Sequence, residues 1–548
     1  MDAAELFVQC LENEGVKVIF GLPGEENARF MLALADSSIE FVLTRHEQGA
    51  AFMADAYGRL TGEPGVCLGT LGPGATNLVT GVADANMDRA PMIVITGQAD
   101  SRRQHKESHQ HMNVVAMFEP ITKWATPIIH PDNVAEVVRK AFKLARLEKP
   151  GACHIELPED IASQDAHKSP LEVRSPRRSV PDDKAVDSAM RLLRDARRPV
   201  ILAGNGAIRK SACAQLRAFA DATGIGVIST FMGKGCVDAD APYCLFTIGL
   251  QAKDLIACAI DAADVVMTLG YDMVEYPPRL WNSENDKRII HADFLQAEVD
   301  DHYNAEVELV GDISHTLWMF NERIKKEPIQ YDEKYMRAVR AEMLTEIAAH
   351  KDDDTEQRIR PQKVLWDVRD VLGPEDILLS DVGAHKLWIA RYYQCNEPNT
   401  CLIPNGFCSM GFALPGAIVA KKIHPEKRVL AICGDGGFLM NVQELETARR
   451  LNVPFVVMVW VDGGYGLIEW KQDNEYGRHS PLAFGNPDFM KLAEAFDCRG
   501  MHVDHSRDLK AALEDAFTSD RPCVLTLNID YSENQKLTER LGNIACPI

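Results

Sequence analysis

The sequence predicts an α/β protein made of three doubly wound domains, each built on a parallel sheet. Short apolar runs, typical of buried strands, alternate with stretches of helical periodicity over most of the 548 residues. Two segments interrupt this alternation: residues 163–183 are rich in Pro, Ser and charge, and residues 325–361 are charged and helical. These connectors divide the chain into predicted domains at residues 1–163, 184–325 and 360–548.

Composition and charge restrict the class of protein and its partners. Hydrophobic residues make up 46% and charged residues 25% of the chain, which is ordinary for a globular protein. The net charge of −21 argues against nucleic acid or an anionic membrane as a partner. Apolar runs such as residues 453–461 are too short to span a bilayer, and the acidic amphipathic N-terminus indicates no targeting peptide. The 14 cysteines form no CxxC pair, so we expect reduced, mostly buried thiols in a cytoplasmic protein.

The first domain alternates strands and helices in the order that gives a parallel sheet. Its candidate strands are residues 17–24, 40–45, 65–70, 91–98 and 153–158. A helical stretch lies between each strand and the next, so parallel pairing needs no long loops. The sequence therefore predicts a sheet covered by helices on both faces.

The second domain has the same alternation, with candidate strands at residues 199–207, 225–230, 265–271 and 288–294. Its Gly204-Asn205-Gly206 follows a strand, as in dinucleotide-binding folds, but the third glycine and a suitably spaced acidic residue are missing. The signal for a dinucleotide is therefore weak. The candidate strands of the third domain are residues 376–383, 400–406, 428–437, 454–464 and 523–530.

The strongest local pattern runs from residue 428 to residue 466. An apolar strand, a turn, a helix from about Gly437 to Pro454 and a second apolar strand form a βαβ unit with parallel strands. Asp435 and Asp462 follow the two strands, where ligands of open parallel sheets bind. Paired carboxylates beside glycines are suited to Mg²⁺ and a diphosphate, although Asp-Gly and Gly-Gly also mark ordinary turns.

GDGG at 434–437 and VDGGYG at 461–466 together resemble the GDG…NN signature of thiamin-diphosphate (ThDP) enzymes. The resemblance implies that Asp435, Asp462 and the backbone carbonyl of Gly464 bind Mg²⁺. This chain has Val-Asp where the family commonly has Asn-Asn, and the aspartate retains a ligand oxygen. The fold implied is the three-domain α/β architecture of ThDP enzymes, with a pyrimidine-binding first domain, a Rossmann-like central domain and a diphosphate-binding third domain.

The stretch TRHEQGAAFMADAYGR at 44–59 is similar to a segment of the acetolactate synthases, and it is the longest match. The resemblance implies that Glu47 bonds the aminopyrimidine of ThDP and so promotes loss of the thiazolium proton. It also implies that Glu47 and the Mg²⁺ site come from different subunits of a homodimer or homotetramer. Without the resemblance, Glu47 is equally a carboxylate that favours the start of a helix.

Three further segments, LGPGATN at 71–77, VGAH at 382–385 and GFCSMGFALP at 406–415, resemble cofactor-binding parts of the same family. The last is the family segment that holds the cofactor bent, although it also has the pattern of a core helix start. Taken together, the resemblance implies that the cofactor contacts are Pro73, Asn77, Gly383, Ala384, His385, Cys408, Met410, Asp435, Gly436, Gly437, Asp462, Gly464, Tyr465, Gly466 and Leu467.

Residues 104–111 contain three histidines, a pattern that could indicate a transition-metal site. No acidic or cysteine partner is spaced to complete such a site, so we favour another interpretation. In acetolactate synthases a glutamine at the position of Gln110 faces the substrate, and the resemblance implies this role here, with His109 beside it. A histidine that donates a proton would instead suit a decarboxylase.

The resemblance implies an FAD-free acetolactate synthase of the catabolic type. GYDMVEY at 270–276 stands where FAD-containing relatives have an RFDDR-like segment, so we expect ThDP and Mg²⁺ but no FAD. The expected reaction decarboxylates pyruvate and joins the hydroxyethyl-ThDP carbanion to a second pyruvate, giving 2-acetolactate. The alternative enzyme is a ThDP-dependent 2-keto-acid decarboxylase that releases an aldehyde. The alternative from another class is a non-catalytic regulatory subunit that has kept the fold.

Overall fold

The computed structural model describes residues 1–174, 178–209, 211–249 and 255–534. Within them the chain forms three six-stranded sheets in which all neighbouring strands run parallel. Helices connect the strands, as parallel pairing requires. This architecture confirms the predicted α/β class.

The first sheet has the strand order β2-β1-β3-β4-β6-β5. Its strands are β1 Val18–Gly21, β2 Glu40–Leu43, β3 Gly65–Gly69, β4 Met92–Gln98, β5 Trp124–Pro127 and β6 Ala152–Pro158. The helices around it are α1 Ala3–Asn13, α2 Ala28–Ala35, α3 Glu47–Thr61, α4 Pro73–Met87, α5 Val114–Phe118, α6 Val134–Arg146 and α7 Glu159–Ala162. The central strands β1, β3, β4 and β6 are buried along their whole length, because helices cover both faces.

The second sheet has the order β12-β11-β10-β7-β8-β9. Its strands are β7 Pro199–Ala203, β8 Gly226–Ser229, β9 Cys244–Thr247, β10 Val265–Leu269, β11 Arg288–Asp293 and β12 Ala305–Val310. The helices of this part are α8 Asp183–Asp195, α9 Ala212–Thr223, α10 Ala257–Asp261 and α11 Ile313–Lys326, and α12 Lys334–Ala348 leads towards the third sheet.

The third sheet has the order β14-β13-β15-β16-β18-β17. Its strands are β13 Ile377–Ser380, β14 Cys401–Leu402, β15 Val429–Gly434, β16 Val456–Val461, β17 Arg499–Val503 and β18 Cys523–Asn528. Its helices are α13 Pro361–Val371, α14 Ala384–Tyr392, α15 Ala413–Ile423, α16 Asp435–Met440, α17 Glu444–Arg450, α18 Gly466–Tyr476, α19 Phe489–Ala495 and α20 Leu509–Ala516.

The first and third sheets share one hydrophobic core. Buried residues of both sheets and of the helices between them form a single cluster, in which α3 packs against α15. The rings of Phe52 and Phe412 meet edge to face at 5.9 Å between centroids. The first and third domains are therefore fixed against one another within the chain.

The structure departs from the sequence analysis at three points. Four strands were not predicted, namely β5, β9, β12 and β17, and each lies at a sheet edge. The single helix predicted between β15 and β16 is two helices, α16 and α17, because the backbone leaves the helical region at Asn441, whose amide donates to the carbonyl of Gly411. Cys258 is disulfide-bonded, so the expectation that all cysteines are reduced was wrong.

Among the described residues, no helix is both long enough and apolar enough to cross a membrane.

Candidate active site

Two carboxylates meet at the carboxyl edge of the third sheet. β15 and β16 are neighbours, and Asp435 and Asp462 follow them directly. Asp435 is buried, and its Oδ2 accepts the N–H of Gly463 at 2.8 Å. Desolvation and the nearby Asp435 together raise the pKa of Asp462 to about 7, although part of the side chain is exposed. Two acidic groups this close together are suited to a hard divalent cation.

Segment 482–486 closes over these carboxylates, and the sequence analysis did not identify it. The Asn486 side-chain N–H donates to Asp435 Oδ2 at 2.7 Å. Its Oδ1 is buried and has no partner among the described residues. The backbone of the segment pairs with the strand-end loop, since Phe484 N–H donates to the carbonyl of Gly463 at 2.9 Å. A loop asparagine before a proline carries no sequence signal for such a role.

Glycines bring the backbone close to neighbouring side chains beside the two carboxylates. A Cβ on Gly466 would lie 2.6 Å from Asp462 Oδ2, and one on Gly436 would lie 3.0 Å from the ring of Tyr465. A Cβ on Gly437 would lie 3.0 Å from Asp381 Oδ1. These short distances leave little room for a side chain at any of the three glycines. The other predicted contacts of this loop, Gly464 and the half-buried Leu467, lie at the start of α18 or just before it.

The predicted diphosphate segment 383–385 follows β13, the strand next to β15. Gly383 precedes α14, and Ala384 is the first residue of that helix, so unpaired N–H groups of the helix lie at the same sheet edge. His385 is buried, and desolvation lowers its pKa to about 3, so the ring is neutral. Within the part of the chain that the structure describes, His385 Nε2 has no hydrogen-bond partner.

Glu47 is the first residue of α3 and is buried. Its Oε2 accepts from the side-chain amide of Asn77 at 2.9 Å. Asn77 lies on α4, which begins at Pro73, and Gly74 of the same turn leaves room for Glu47, since a Cβ there would lie 3.3 Å from Glu47 Oε1. The structure thus brings Glu47 and Asn77 together. No hydrogen bond among the described residues joins Glu47 to Asp435 or Asp462.

Hydrogen bonds from the first and the third domain hold the segment that contains Cys408 and Met410. Cys408 has the left-handed φ of 59°, and Lys386 Nζ donates to its Sγ at 2.8 Å. Asp381, at the end of β13, accepts the N–H of Gly411 at 2.9 Å. From the first domain, Asp88 accepts the backbone N–H of Gly406 at 2.6 Å. Both Cys408 and Met410 are half-buried.

Asp88 belongs to a buried charge cluster that the sequence analysis also missed. Arg59 donates to Asp88 at 2.8 Å, to Asp84 at 3.1 Å and to Asp55 at 2.7 Å, and the three carboxylates are inaccessible to solvent. Asp84 also accepts the N–H of Ser409 at 3.1 Å. Burial raises the pKa of Asp84. Asp84, the one charged residue of α4, and Asp88, which follows the last residue of that helix, were the available sequence signal.

The histidine-containing segment 104–111 lies against the turn that precedes α4. A Cβ on Gly72 would lie 2.7 Å from the carbonyl oxygen of Gln110, so the two segments touch. His109 and Gln110 are exposed. His111 Nδ1 lies 3.0 Å from Gln98 Oε1, which ties the segment to the end of β4. The three histidines do not form a metal-ligand cluster in the described part of the chain.

Gly204 and Gly206 have a packing role in the central domain. A Cβ on Gly204 would lie 2.6 Å from the carbonyl oxygen of Gly270, and one on Gly206 would lie 2.6 Å from the Cα of Gly270. The N–H of Asn205 between them donates to the buried carboxylate of Glu275 at 3.0 Å. Close packing of two backbone segments therefore accounts for the isolated G-x-G pattern.

Comparisons with known proteins agree with this arrangement. Three family models of thiamine pyrophosphate enzymes match the chain. They are the N-terminal TPP binding domain at residues 1–117, the central domain at residues 186–320 and the C-terminal TPP binding domain at residues 381–527. The acetolactate synthase of Bacillus subtilis (strain 168) is 35% identical over 552 residues, covering 99% of this chain and 96% of that protein. The catabolic acetolactate synthase of Raoultella terrigena is 36% identical over 548 residues, with 98% and 97% covered.

A third relative, the acetolactate synthase isozyme 2 large subunit of Escherichia coli (strain K12), is 31% identical over 540 residues, covering 97% of this chain and 96% of that protein. The similarity therefore extends over all three sheets and over every segment of the site. The chain belongs to the thiamine pyrophosphate enzyme family, among its acetolactate synthases.

Proposed function

We propose that the chain is an FAD-free acetolactate synthase that decarboxylates pyruvate and transfers the two-carbon unit to a second pyruvate. The full-length identity of 35% with proteins named acetolactate synthase carries this function. The decarboxylase alternative has no support from the similar proteins, whose names are those of synthases. A purely regulatory role is disfavoured because the side chains of Glu47, Asp435 and Asp462 are all retained and positioned.

The residues fit thiamin diphosphate with Mg²⁺. Two polar atoms without partners in the described chain, His385 Nε2 and Asn486 Oδ1, lie in the segments proposed to surround the diphosphate and the cation. Asp435, Asp462 and the carbonyl of Gly464 would hold Mg²⁺, which neutralises the diphosphate charge. When bound, thiamin diphosphate supplies the carbanion chemistry that removes CO₂ from a 2-keto acid.

The side chains of the protein would hold a proton and orient the cofactor and the keto acid. Glu47 Oε1 would hold the proton shared with the aminopyrimidine, while Asn77 fixes the orientation of the other carboxylate oxygen. Cys408 and Met410 would contact the cofactor from the third domain, at positions fixed by Asp381 and Lys386. Gln110 and His109 would face the keto acid, and they stay predictions from the sequence.

We infer further that FAD is not required. In the central domain the backbone of Gly270 fills the space beside Gly204 and Gly206, and Glu275 accepts the N–H of Asn205. The G-x-G segment is thus occupied by packing within the chain, which supports the inference that it does not bind a dinucleotide. A cytoplasmic location stays a prediction, and so does the absence of a nucleic-acid partner, which the net charge of −21 favours.

The reaction is tested by a product assay on pyruvate with thiamin diphosphate and Mg²⁺ as the only additions. We expect 2-acetolactate, measured as acetoin after acid treatment, with one CO₂ released for each acetolactate formed. Acetaldehyde as the main product would favour a decarboxylase, and cofactor binding without CO₂ release would favour a regulatory subunit. A requirement for added FAD would contradict the FAD-free assignment.

We propose a homodimer, or a homotetramer built from such dimers, with active sites shared between subunits. Large apolar side chains are exposed around the site in the single chain, which supports a covering partner. They are Phe407 (44% exposed), Met440 (40%), Tyr465 (39%) and Ile468 (45%). If the sites are shared, a mixed dimer of a Glu47→Gln chain and an Asp435→Ala chain contains one site with neither substitution.

Co-expression of these two variants under different affinity tags gives the mixed dimer by sequential purification. We expect it to have about half of the wild-type activity, whereas each parent variant alone is nearly inactive. Activity as low as that of the parents would show that both groups act in the same chain.

A further inference from the structure

A buried carboxylate of the third domain holds the backbone immediately before Glu47. Glu444, the first residue of α17, is inaccessible to solvent. Its Oε1 accepts the N–H of His46 at 3.0 Å and the N–H of Arg45 at 3.1 Å. About four hundred residues of sequence separate donors and acceptor, so this is a contact between domains.

The two oxygens of the Glu444 carboxylate accept hydrogen bonds from three donor groups. Thr447, one turn further along the α17 backbone, donates its hydroxyl to Glu444 Oε2 at 2.6 Å, and the N–H of Arg45 reaches the same oxygen at 3.3 Å. Burial raises the pKa of Glu444, and the hydroxyl and the two backbone N–H groups oppose that shift by stabilising the charged form. Removing this acceptor would take away the hydrogen-bond partner of the N–H groups of Arg45 and His46.

These N–H groups belong to the residues that begin the helix of Glu47. His46 is the N-cap of α3, with extended backbone, and its Nδ1 accepts the N–H of Gln48 at 3.1 Å. The direction of α3 at its first residue therefore depends on where residues 45 and 46 are held. Glu47 is held at the backbone before it by Glu444 and at its carboxylate by Asn77.

Gly49 supports the same interpretation independently. A Cβ at this position would lie 2.6 Å from Glu444 Oε1 and 2.8 Å from Glu444 Cδ. The first turn of α3 thus approaches the carboxylate so closely that only glycine fits without displacement. Alanine is otherwise the better helix former of the two residues.

From these contacts we propose that Glu444 is a positioning residue for Glu47: it holds the start of α3 so that the Glu47 carboxylate meets the aminopyrimidine. The proposal rests on the proposed function, in which Glu47 promotes proton loss from the cofactor. Positioning errors well below one ångström are enough to impair a proton transfer.

The test measures exchange of the thiazolium C2 proton for deuterium in enzyme-bound thiamin diphosphate, by acid quench and NMR, without substrate. We expect exchange to slow about 10-fold in Glu444→Gln, which keeps the shape, and about 100-fold in Glu444→Ala. Gly49→Ala, which displaces the same contact from the opposite side, is expected to slow exchange about 10-fold. Cofactor affinity, measured by titration calorimetry, is expected to change less than about threefold in each variant.

Glu446→Gln is the matched control, because Glu446 lies on the same helix but is only partly buried and pairs with Arg450 at 3.0 Å. Its exchange rate should equal that of the wild type. Unchanged exchange in Glu444→Gln and Gly49→Ala would overturn the proposal, and so would a loss of exchange that merely follows a loss of cofactor affinity. Glu47→Gln in the same assay distinguishes failure of this proposal from failure of the proposed function. If Glu47→Gln also exchanges at the wild-type rate, the role of Glu47 in the proposed function is wrong.

Discussion

Replacing Glu47 with glutamine is expected to slow acetolactate formation about 10³-fold. Glutamine keeps the length of the side chain and an oxygen that can accept from Asn77, so the packing at the start of α3 should survive. It cannot hold and release a proton, however, which is the step assigned to this residue. Positioned acid–base groups typically contribute factors of 10² to 10⁴ to a rate.

The measurement is the initial rate of acetolactate formation from pyruvate at saturating cofactor, together with cofactor affinity by calorimetry. Affinity should fall much less than the rate, because most binding contacts lie in the third domain. Glu63→Gln serves as the control, since Glu63 lies just beyond the other end of α3 and its side chain is 60% exposed. A Glu47→Gln enzyme with more than a tenth of the wild-type rate would remove Glu47 from the proton-transfer step.

The central strands of all three sheets could be predicted from the sequence, as could the edge strands β2 and β14, but the other four edge strands could not. Central strands are buried on both faces and appear as continuous apolar runs, as in β16. β12 has alternating burial, and Glu306 and Glu308 interrupt its apolar pattern. β17 alternates in the same way, and β5 is only half-buried. These three edge strands have one neighbour each and more solvent contact, so their sequences resemble those of loops. The missed strand β9 is buried along its length and is not explained in this way.

The residues of the site divide in a similar way: some could be placed from the local sequence pattern, and others only from contacts between domains. Asp435 and Asp462 could be placed together from sequence, because each follows one strand of a predicted βαβ unit and parallel strands end at the same edge of a sheet. Glu444 and Asp88 gave no comparable signal. Each is buried in one domain and accepts backbone N–H groups from the other, a relation that depends on the packing of α3 against α15. Such contacts become visible only when the folded chain is known.

Asp462 gives the second large effect that we expect. Asp462→Ala removes one of two protein carboxylates proposed for Mg²⁺ and should raise the Mg²⁺ concentration needed for half-maximal cofactor binding about 10³-fold. Asp462→Asn restores the residue that the family commonly has here and keeps one ligand oxygen, so this concentration should rise at most about tenfold. The variants differ by a single ligand group at one position, so the comparison isolates the cation contact from the packing of the loop.

The measurement is a Mg²⁺ titration of thiamin diphosphate binding, followed by calorimetry at fixed cofactor concentration. Gly466 lies so close that its Cβ would meet Asp462 Oδ2 at 2.6 Å, so a residue larger than aspartate would disturb the loop as well and is unsuited to this test. Titration curves of the Ala and Asn variants that both equal the wild-type curve would show that the Asp462 side chain does not bind the cation. Asp435 would then be the one remaining protein carboxylate of the proposed metal site, and Asn486, whose side-chain N–H donates to it, has an Oδ1 without a partner among the described residues.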